Sequence, residues 1–327
     1  MTRTLSVASQ LALDACNQFP SAPTRSIATI LWERDKACFT SYEHARGLVR
    51  YHRGESGDAD RKKVAEIIPT TKFKAPPSDA KPPKPYVWTH EGVGTILADV
   101  HLPYHDEDAL DTAVCYAMEH DATAFLLILG DFIDHYSLSR FVRDPRRRRF
   151  PEEVELARDT LAALGEVFDT VVYKAGNHER RYIDYMCTKA PELLGLPGFE
   201  YDAVMGLDDL GAAWVNWNRV IHVGEHLTLL HGDEYGGGRG SPVNAARGLL
   251  LRAKTCAMCG HFHTTSEQPG KTIRQDSLFC WSLGCLCDLH PEYAPLNEWN
   301  HGFALLDYRG GDDWEVENRR IVGGKVR

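Results

Sequence analysis

Five apolar runs, each ending in side chains that can bind a metal, constrain this chain more than any other feature. They read "TILADVH", "AFLLILGD", "TVVYKAGNHE", "LTLLHGD" and "TCAMCGHFH", and deliver Asp99 and His101, Asp131, Asn177 and His178, His231, and His261 and His263. Short, nearly continuous apolar runs predict strands buried on both faces. Amphipathic stretches near 106–120, 152–168 and 179–190 predict helices between several of them, so a layered α/β domain is expected. In open α/β sheets, sites collect beyond the carboxyl ends of the strands. One histidine after one strand is ordinary. Asp, His or Asn after five strands is not core packing, because such groups buried without partners cost several kcal/mol each.

The last run is crowded: "CAMCGHFH" offers two cysteines and two histidines. A zinc finger wraps its ion with two separated ligand pairs. Cys285 and Cys287 are the second pair at hand, and their spacing of one intervening residue is poor for a knuckle. Cys256 and Cys259 are therefore expected as small buried side chains of the strand.

Taken in order, "DVH", "GDFID", "GNHE", "HGD" and "GHFH" resemble the calcineurin-like metallophosphoesterase superfamily, over residues 93–265. The resemblance implies a four-layer αββα sandwich of two mixed β-sheets that holds two divalent metal ions, manganese first, with iron or zinc as alternatives. It implies Asp99, His101 and His263 around the first ion, Asp131 as the bridge, and Asn177, His231 and His261 around the second. Carboxylate, amide and imidazole donors suit such ions, and a shared carboxylate suits a pair about 3.5–4 Å apart. The implied chemistry is attack on phosphorus by a metal-bridged hydroxide. His178 is implied to contact the phosphate and protonate the leaving alkoxide, and Asp134 to orient it. Gly130, Gly176, Gly232 and Gly260 would supply unusual turns or close backbone approach beside the ligands. One departure matters: protein Ser/Thr phosphatases continue the second motif as Asp-Arg-Gly, where this chain has "IDHYS". It shares their Glu after Asn-His, as Glu179, without that arginine, which disfavours a phosphoprotein phosphatase.

Upstream, residues 1–66 are expected to form a small all-α module. "TRSIATILWERD" places Ile27, Ile30 and Leu31 on one helical face. In "FTSYEHARGLVRYHRG", Thr40 and Glu43 fit a capping box and Gly54 a C-terminal cap. Residues 1–63 carry ten Lys and Arg against seven Asp and Glu, and Arg46, Arg50 and Arg53 project from the second helix. This suggests a helix-turn-helix reader of nucleic acid, with a docking bundle as the alternative. Residues 67–87, rich in Pro and Lys, read as an extended linker, and residues 88–327 as the catalytic domain. The module and the central motifs resemble phosphoesterases of phages and bacteria.

The substrate expected is a phosphodiester, with DNA, RNA or a nucleotide as candidates. "SRFVRDPRRRRF" offers Arg140, Arg143 and Arg146 for phosphate, and "HGDEYGGGRG" offers Arg239 on a glycine-rich rim. Tyr136, Phe141 and Phe150 could stack on bases. The net charge of -9 restricts any nucleic-acid contact to such local patches. A small-molecule phosphomonoesterase and a nucleic-acid-binding adaptor with an inactive phosphoesterase domain are the other readings. No apolar run approaches the roughly 20 residues of a membrane span. Nine cysteines without framework spacing predict free thiols in a reducing cytoplasm.

Overall fold

In this computed structural model, which describes residues 5–55, 76–235 and 244–327, the chain divides into two units, Met1–Ala80 and Lys81–Arg327. The first unit contains helices α1 (Val7–Gln18), α2 (Thr24–Arg34) and α3 (Tyr42–His52). They share a core of Ala8, Ala12, Ile27, Leu31, Ala45 and Val49. The expected stripe on α2 is narrower than its spacing suggested. The buried face runs through Ile27, Ala28 and Leu31, and Ile30, at its edge, is 43% exposed. The cap of α3 is Ser41 rather than Thr40; its side chain accepts from the His44 amide. Gly54 does follow α3 in the left-handed conformation. Helix α1 escaped the sequence reading because its buried face is mostly alanine, which gives a weak periodic signal.

The arginines of α3 work largely within the module. Arg46 pairs with Glu43, and Arg50 lies 4.0 Å from Glu55. Arg53 donates to Thr24 Oγ1 and to the carbonyls of Phe19 and Pro20, tying α3 to the α1–α2 turn. Residues 35–41 join α2 to α3, a longer connection than the roughly 3–4-residue turn of DNA-binding helix pairs.

The second unit starts inside the expected linker. Tyr86–Val87 form strand β1, and Trp88 is buried behind it. There follow β2 (Gly92–Leu97), α4 (Glu107–Glu119), β3 (Leu126–Leu129), α5 (Phe150–Gly165), β4 (Val171–Lys174), α6 (Asn177–Lys189) and α7 (Tyr201–Met205). Then come β5 (Ala213–Val215), β6 (Ile221–Val223), β7 (Leu227–Leu230), α8 (Ala245–Ala253), β8 (Cys256–Cys259), β9 (Ser266–Lys271) and β10 (Ser277–Ser282). The unit ends with β11 (His301–Tyr308), β12 (Trp314–Val322) and β13 (Lys325–Val326). One sheet runs β1-β6-β7-β8-β10-β9, the other β13-β12-β11-β2-β3-β4-β5, and both mix parallel and antiparallel pairs.

Side-chain alternation along each strand builds the layers. Leu126 and Ile128 of β3 point to a core with α4, α5 and α6. Leu127 and Leu129 point the other way, to Ile221, Leu229 and Met258 of the second sheet. The outer face of that sheet, with Ala257, Cys259 and Cys280, packs on Leu249 of α8. The order helix, sheet, sheet, helix is the expected αββα sandwich. From the sequence, the tail runs "SLFCWSLGC", "HGFALLDY" and "DWEVENRRIV" suggest strands of a second, antiparallel-leaning sheet; the first gives β10 of the six-stranded sheet, but the other two do not join it. Strand β11 is buried on both faces, Phe303 and Leu305 toward the helices and Ala304 and Leu306 between the sheets. It therefore extends the first sheet, antiparallel to β2.

Glu153, in the first turn of α5, is wholly buried with neither carboxyl oxygen hydrogen-bonded. Burial, and then the charge of Asp134, push its carboxyl up to about 7; the amides of Ser137 and Tyr136 offset only part of this. Below its ordinary value of 4.5 both folded and unfolded states are protonated. Between there and about 7 only the unfolded chain ionises, so stability falls as pH rises. Glu153→Gln is expected to match the parent near pH 4.5 and to exceed it at pH 8 by about 2 kcal/mol, allowing for solvent screening. Urea unfolding at the two pH values checks this.

Candidate metal centre

The carboxyl ends of strands from both sheets meet at one place. The seven-stranded sheet brings Asp99 and His101 after β2, Asp131 after β3 and Asn177 after β4. The six-stranded sheet brings His231 after β7 and His261 and His263 after β8. Asp131 Oδ2 lies 3.1 Å from His231 Nε2 and 3.9 Å from His101 Nε2. Asp99 Oδ1 lies 3.3 Å from His263 Nε2 and 3.9 Å from His101 Nε2. The two Nε2 atoms of His101 and His263 are 3.3 Å apart. On the other side of Asp131, Asn177 Oδ1 is 3.3 Å from His231 Nε2, and His261 completes a group with Asp131 and His231. All seven ligand candidates thus sit together, and they could hold metal ions. Cys256 and Cys259 lie buried in β8, as expected. All nine cysteines are free thiols.

Asp99 tests the fit most directly. Its Oδ2 accepts the His261 amide at 2.8 Å, while the buried Oδ1 makes no well-formed hydrogen bond and is faced by the His263 imidazole at 3.3 Å. A buried carboxylate oxygen so weakly partnered costs free energy that a cation would recover. The backbone gives the same indication. Asp99, His101, Asp131, His261 and His263 all have positive φ, between 52° and 67°. A left-handed conformation costs an L-residue on the order of 1–2 kcal/mol, and it persists only where the surroundings enforce it. Gly130, with φ +92°, shows the crowding: a Cβ there would stand 2.3 Å from His231 Nδ1. At Gly260 a Cβ would stand 2.6 Å from Asp99 Oδ2.

Outer contacts fix which imidazole nitrogen faces inward. His231 Nδ1 donates to the Leu129 carbonyl, and His101 Nδ1 lies 3.3 Å from Asp134 Oδ2, which leaves Nε2 of each as the ligand atom. Cys287 Sγ stands 3.7 Å from His263 Nδ1. Beneath the centre, Glu179 accepts from the amides of Asp131, Phe132 and Gly176 and from the Tyr173 hydroxyl. Buried Lys174 pairs with Glu234, which accepts from the amides of His231 and Gly232.

His178 and Asp134 also lie here, with one difference from expectation. His178 Nδ1 makes its short contact, 2.8 Å, to the backbone carbonyl of Asp134; the carboxylate is 3.4 Å away and also serves His101. Burial pushes Asp134 up, but bonds from His101 and His178 outweigh it and hold the carboxyl well below its ordinary range. Arg181, which the sequence reading passed over, donates to Asp134 and to His178 Nε2.

Arg140, Arg143 and Arg146, singled out for substrate, are exposed and contact neighbours in their own segment. Arg146 is held by Asp144 at 2.6 Å, Arg143 by the Ser137 carbonyl, and Arg140 lies over Phe141. Arg147 docks this segment instead, between the rings of Tyr104 and Tyr136. Of the three candidate stacking residues, Phe150 is partly buried and stacks on His135 and Tyr182. Arg239 lies outside the described residues.

Comparison with known proteins finds phage relatives. The chain is 28% identical over 245 residues to the Gene 54 protein of Mycobacterium phage L5, covering 70% of this chain and 94% of the relative. It is 27% identical, with the same coverage, to the Gene 54 protein of Mycobacterium phage D29. No family model matches the chain. No helix among the described residues is long and apolar enough to cross a membrane.

Without a cation, protons balance the charge at this centre. Burial pulls His263 down, but Asp99 prevails and the imidazole is pushed up to about 10. His231 is raised well above its ordinary range, Asp131 again outweighing burial. Burial and the His231 charge push His261 down to about 4, so it is neutral at pH 7. Ligation needs neutral imidazoles, so His263 and His231 must shed protons on binding. Metal and proton therefore compete at pH values below the raised ones, and affinity rises with pH. Calorimetric titration with Mn²⁺ at pH 7, in buffers of different ionisation heat, is expected to show release of about one to two protons. Affinity is expected to rise steadily from pH 6 to pH 9.

Proposed function

We propose that this protein is a metal-dependent phosphoesterase of the calcineurin-like type, a hydrolase that cleaves phosphodiesters of nucleic acids or nucleotides with two divalent ions, manganese first. The observation that carries the proposal is the position of Asp131 Oδ2, shared between the His101 side and the His231 side of the centre. Asp99, His101, His263 and Asp131 would hold one ion, and Asp131, Asn177, His231 and His261 the other. Bound there, the pair would neutralise phosphoryl charge and activate water.

The chain's own groups then do the positioning. Leu129 and Asp134 keep His231 and His101 in the tautomer that turns Nε2 inward. The Asp134 carbonyl holds His178 Nδ1 and leaves Nε2 beside Arg181 and 3.8 Å from Asp131 Oδ2, where, once protonated, it would serve the leaving oxygen. The diester preference rests on the sequence, through the arginine-rich segment after the second motif and the basic balance of residues 1–63.

The test is a substrate panel with the Mn²⁺-loaded protein: single-stranded DNA, duplex DNA, RNA, cyclic nucleotides and a chromogenic diester beside its monoester. Cleavage of a nucleic acid or nucleotide diester faster than the monoester is expected. Fast monoester hydrolysis with every diester untouched overturns the diester reading, and no hydrolysis with metal bound favours the adaptor.

A further inference from the structure

We propose that Arg181 is a direct ligand of the substrate's phosphoryl oxygens, an inference that rests on the phosphoesterase reading above. Arg181 leaves α6 one turn after Asn177 and His178, and its side chain is 22% exposed. Asp134 anchors it: Nη1 donates to the Asp134 carbonyl at 2.8 Å and to Oδ1 at 3.2 Å. Nη2 donates to His178 Nε2 at 3.0 Å. These bonds engage Nη1 and Nη2. Nε and Nη2 together form the side of the guanidinium that suits a phosphate edge.

The bond to His178 carries the inference furthest. An imidazole nitrogen is a weaker acceptor than an anionic phosphate oxygen, which an arginine can grip with two donors at once. A phosphoryl group placed at the metal centre lies beside His178, within reach of the same guanidinium. It would draw Nη2 away from Nε2 while Asp134 keeps Nη1 in place. The exchange binds the substrate and frees Nε2 to take up a proton from solvent and turn it to the leaving oxygen. Arg146 and Arg143, in contrast, contact Asp144 and the Ser137 carbonyl of their own exposed segment rather than His178 or Asp134.

The experiment compares the Mn²⁺-loaded parent with Arg181→Met and Arg181→Lys. It measures metal content, KM and kcat on a chromogenic diester, and the Kd of orthophosphate by calorimetry. Loss of charge-assisted bonds is expected to raise KM and the orthophosphate Kd together for Arg181→Met, by about 10- to 100-fold. Metal content is expected to be unchanged and Arg181→Lys to recover part of the loss. A fall in kcat with KM and orthophosphate Kd unmoved overturns the inference, because Arg181 then acts only through His178. A loss of metal or of folding in Arg181→Met with no phosphate defect in Arg181→Lys also overturns it. If the parent binds orthophosphate but cleaves nothing, and Arg181→Met loses that binding, the phosphate ligand stands and the hydrolase reading falls.

Discussion

Asp131→Asn is expected to abolish turnover and to strip metal from the centre. Asp131 is buried, its Oδ1 accepts the His178 amide, and Oδ2 faces His231 and His101 together. Its carboxyl stays ionised well below the ordinary range, because His231 and His178 outweigh burial. The amide is nearly isosteric, so the fold survives, but the shared negative oxygen is lost to both halves of the centre at once. Loss of a bridging charge from a two-metal site is worth several kcal/mol, so turnover is expected to fall by about 10³-fold or more. Metal retained after dialysis, read by elemental analysis, is expected to fall with it. Unchanged metal content would show that Asp131 is not a ligand.

Glu179→Gln is expected to be the most destabilising of the conservative changes near the centre, although Glu179 touches no metal-facing atom. Its two oxygens accept from Asp131 N at 3.0 Å, Phe132 N at 2.9 Å, Gly176 N at 2.7 Å and Tyr173 Oη at 2.8 Å. An amide replaces one acceptor with a donor that then faces donors. At least one buried N–H loses its partner, which costs about 1–3 kcal/mol, with repulsion added. A total loss of about 2–4 kcal/mol in urea unfolding is expected. The same carboxylate helps hold Asp131 at its positive φ, so metal affinity should fall too. A full stability loss with metal affinity unchanged would make Glu179 a fold residue only.

The seven ligand candidates were legible in the sequence because each follows an apolar run, and burial on both faces makes such runs nearly continuous. The αββα order was legible only through the resemblance, since a run like "LLIL" does not say which face meets helices. The tail shows the limit. "HGFALLDY" reads as a strand, but its place beside β2 is set by long-range pairing that no local spacing encodes. Strands β5 and β6, three residues each, were too short to carry a period. Arg181 was hidden for a different reason. In "NHERR" nothing separates Arg180 from Arg181, and only the helix turns one toward Asp134 and the other over Trp217. Within the arginine run, Asp144, Glu152 and Glu292 pair with Arg146, Arg149 and Arg147, partners that the run itself does not announce.

The most direct measurement is anomalous diffraction from crystals grown with Mn²⁺. Two peaks are expected, about 3.5–4 Å apart, one on each side of Asp131 Oδ2. One should be ringed by Asp99, His101 and His263, and the other by Asn177, His231 and His261. A single peak, or density only at an exposed group such as Glu225, His226 and Asp312, would contradict a shared two-metal centre.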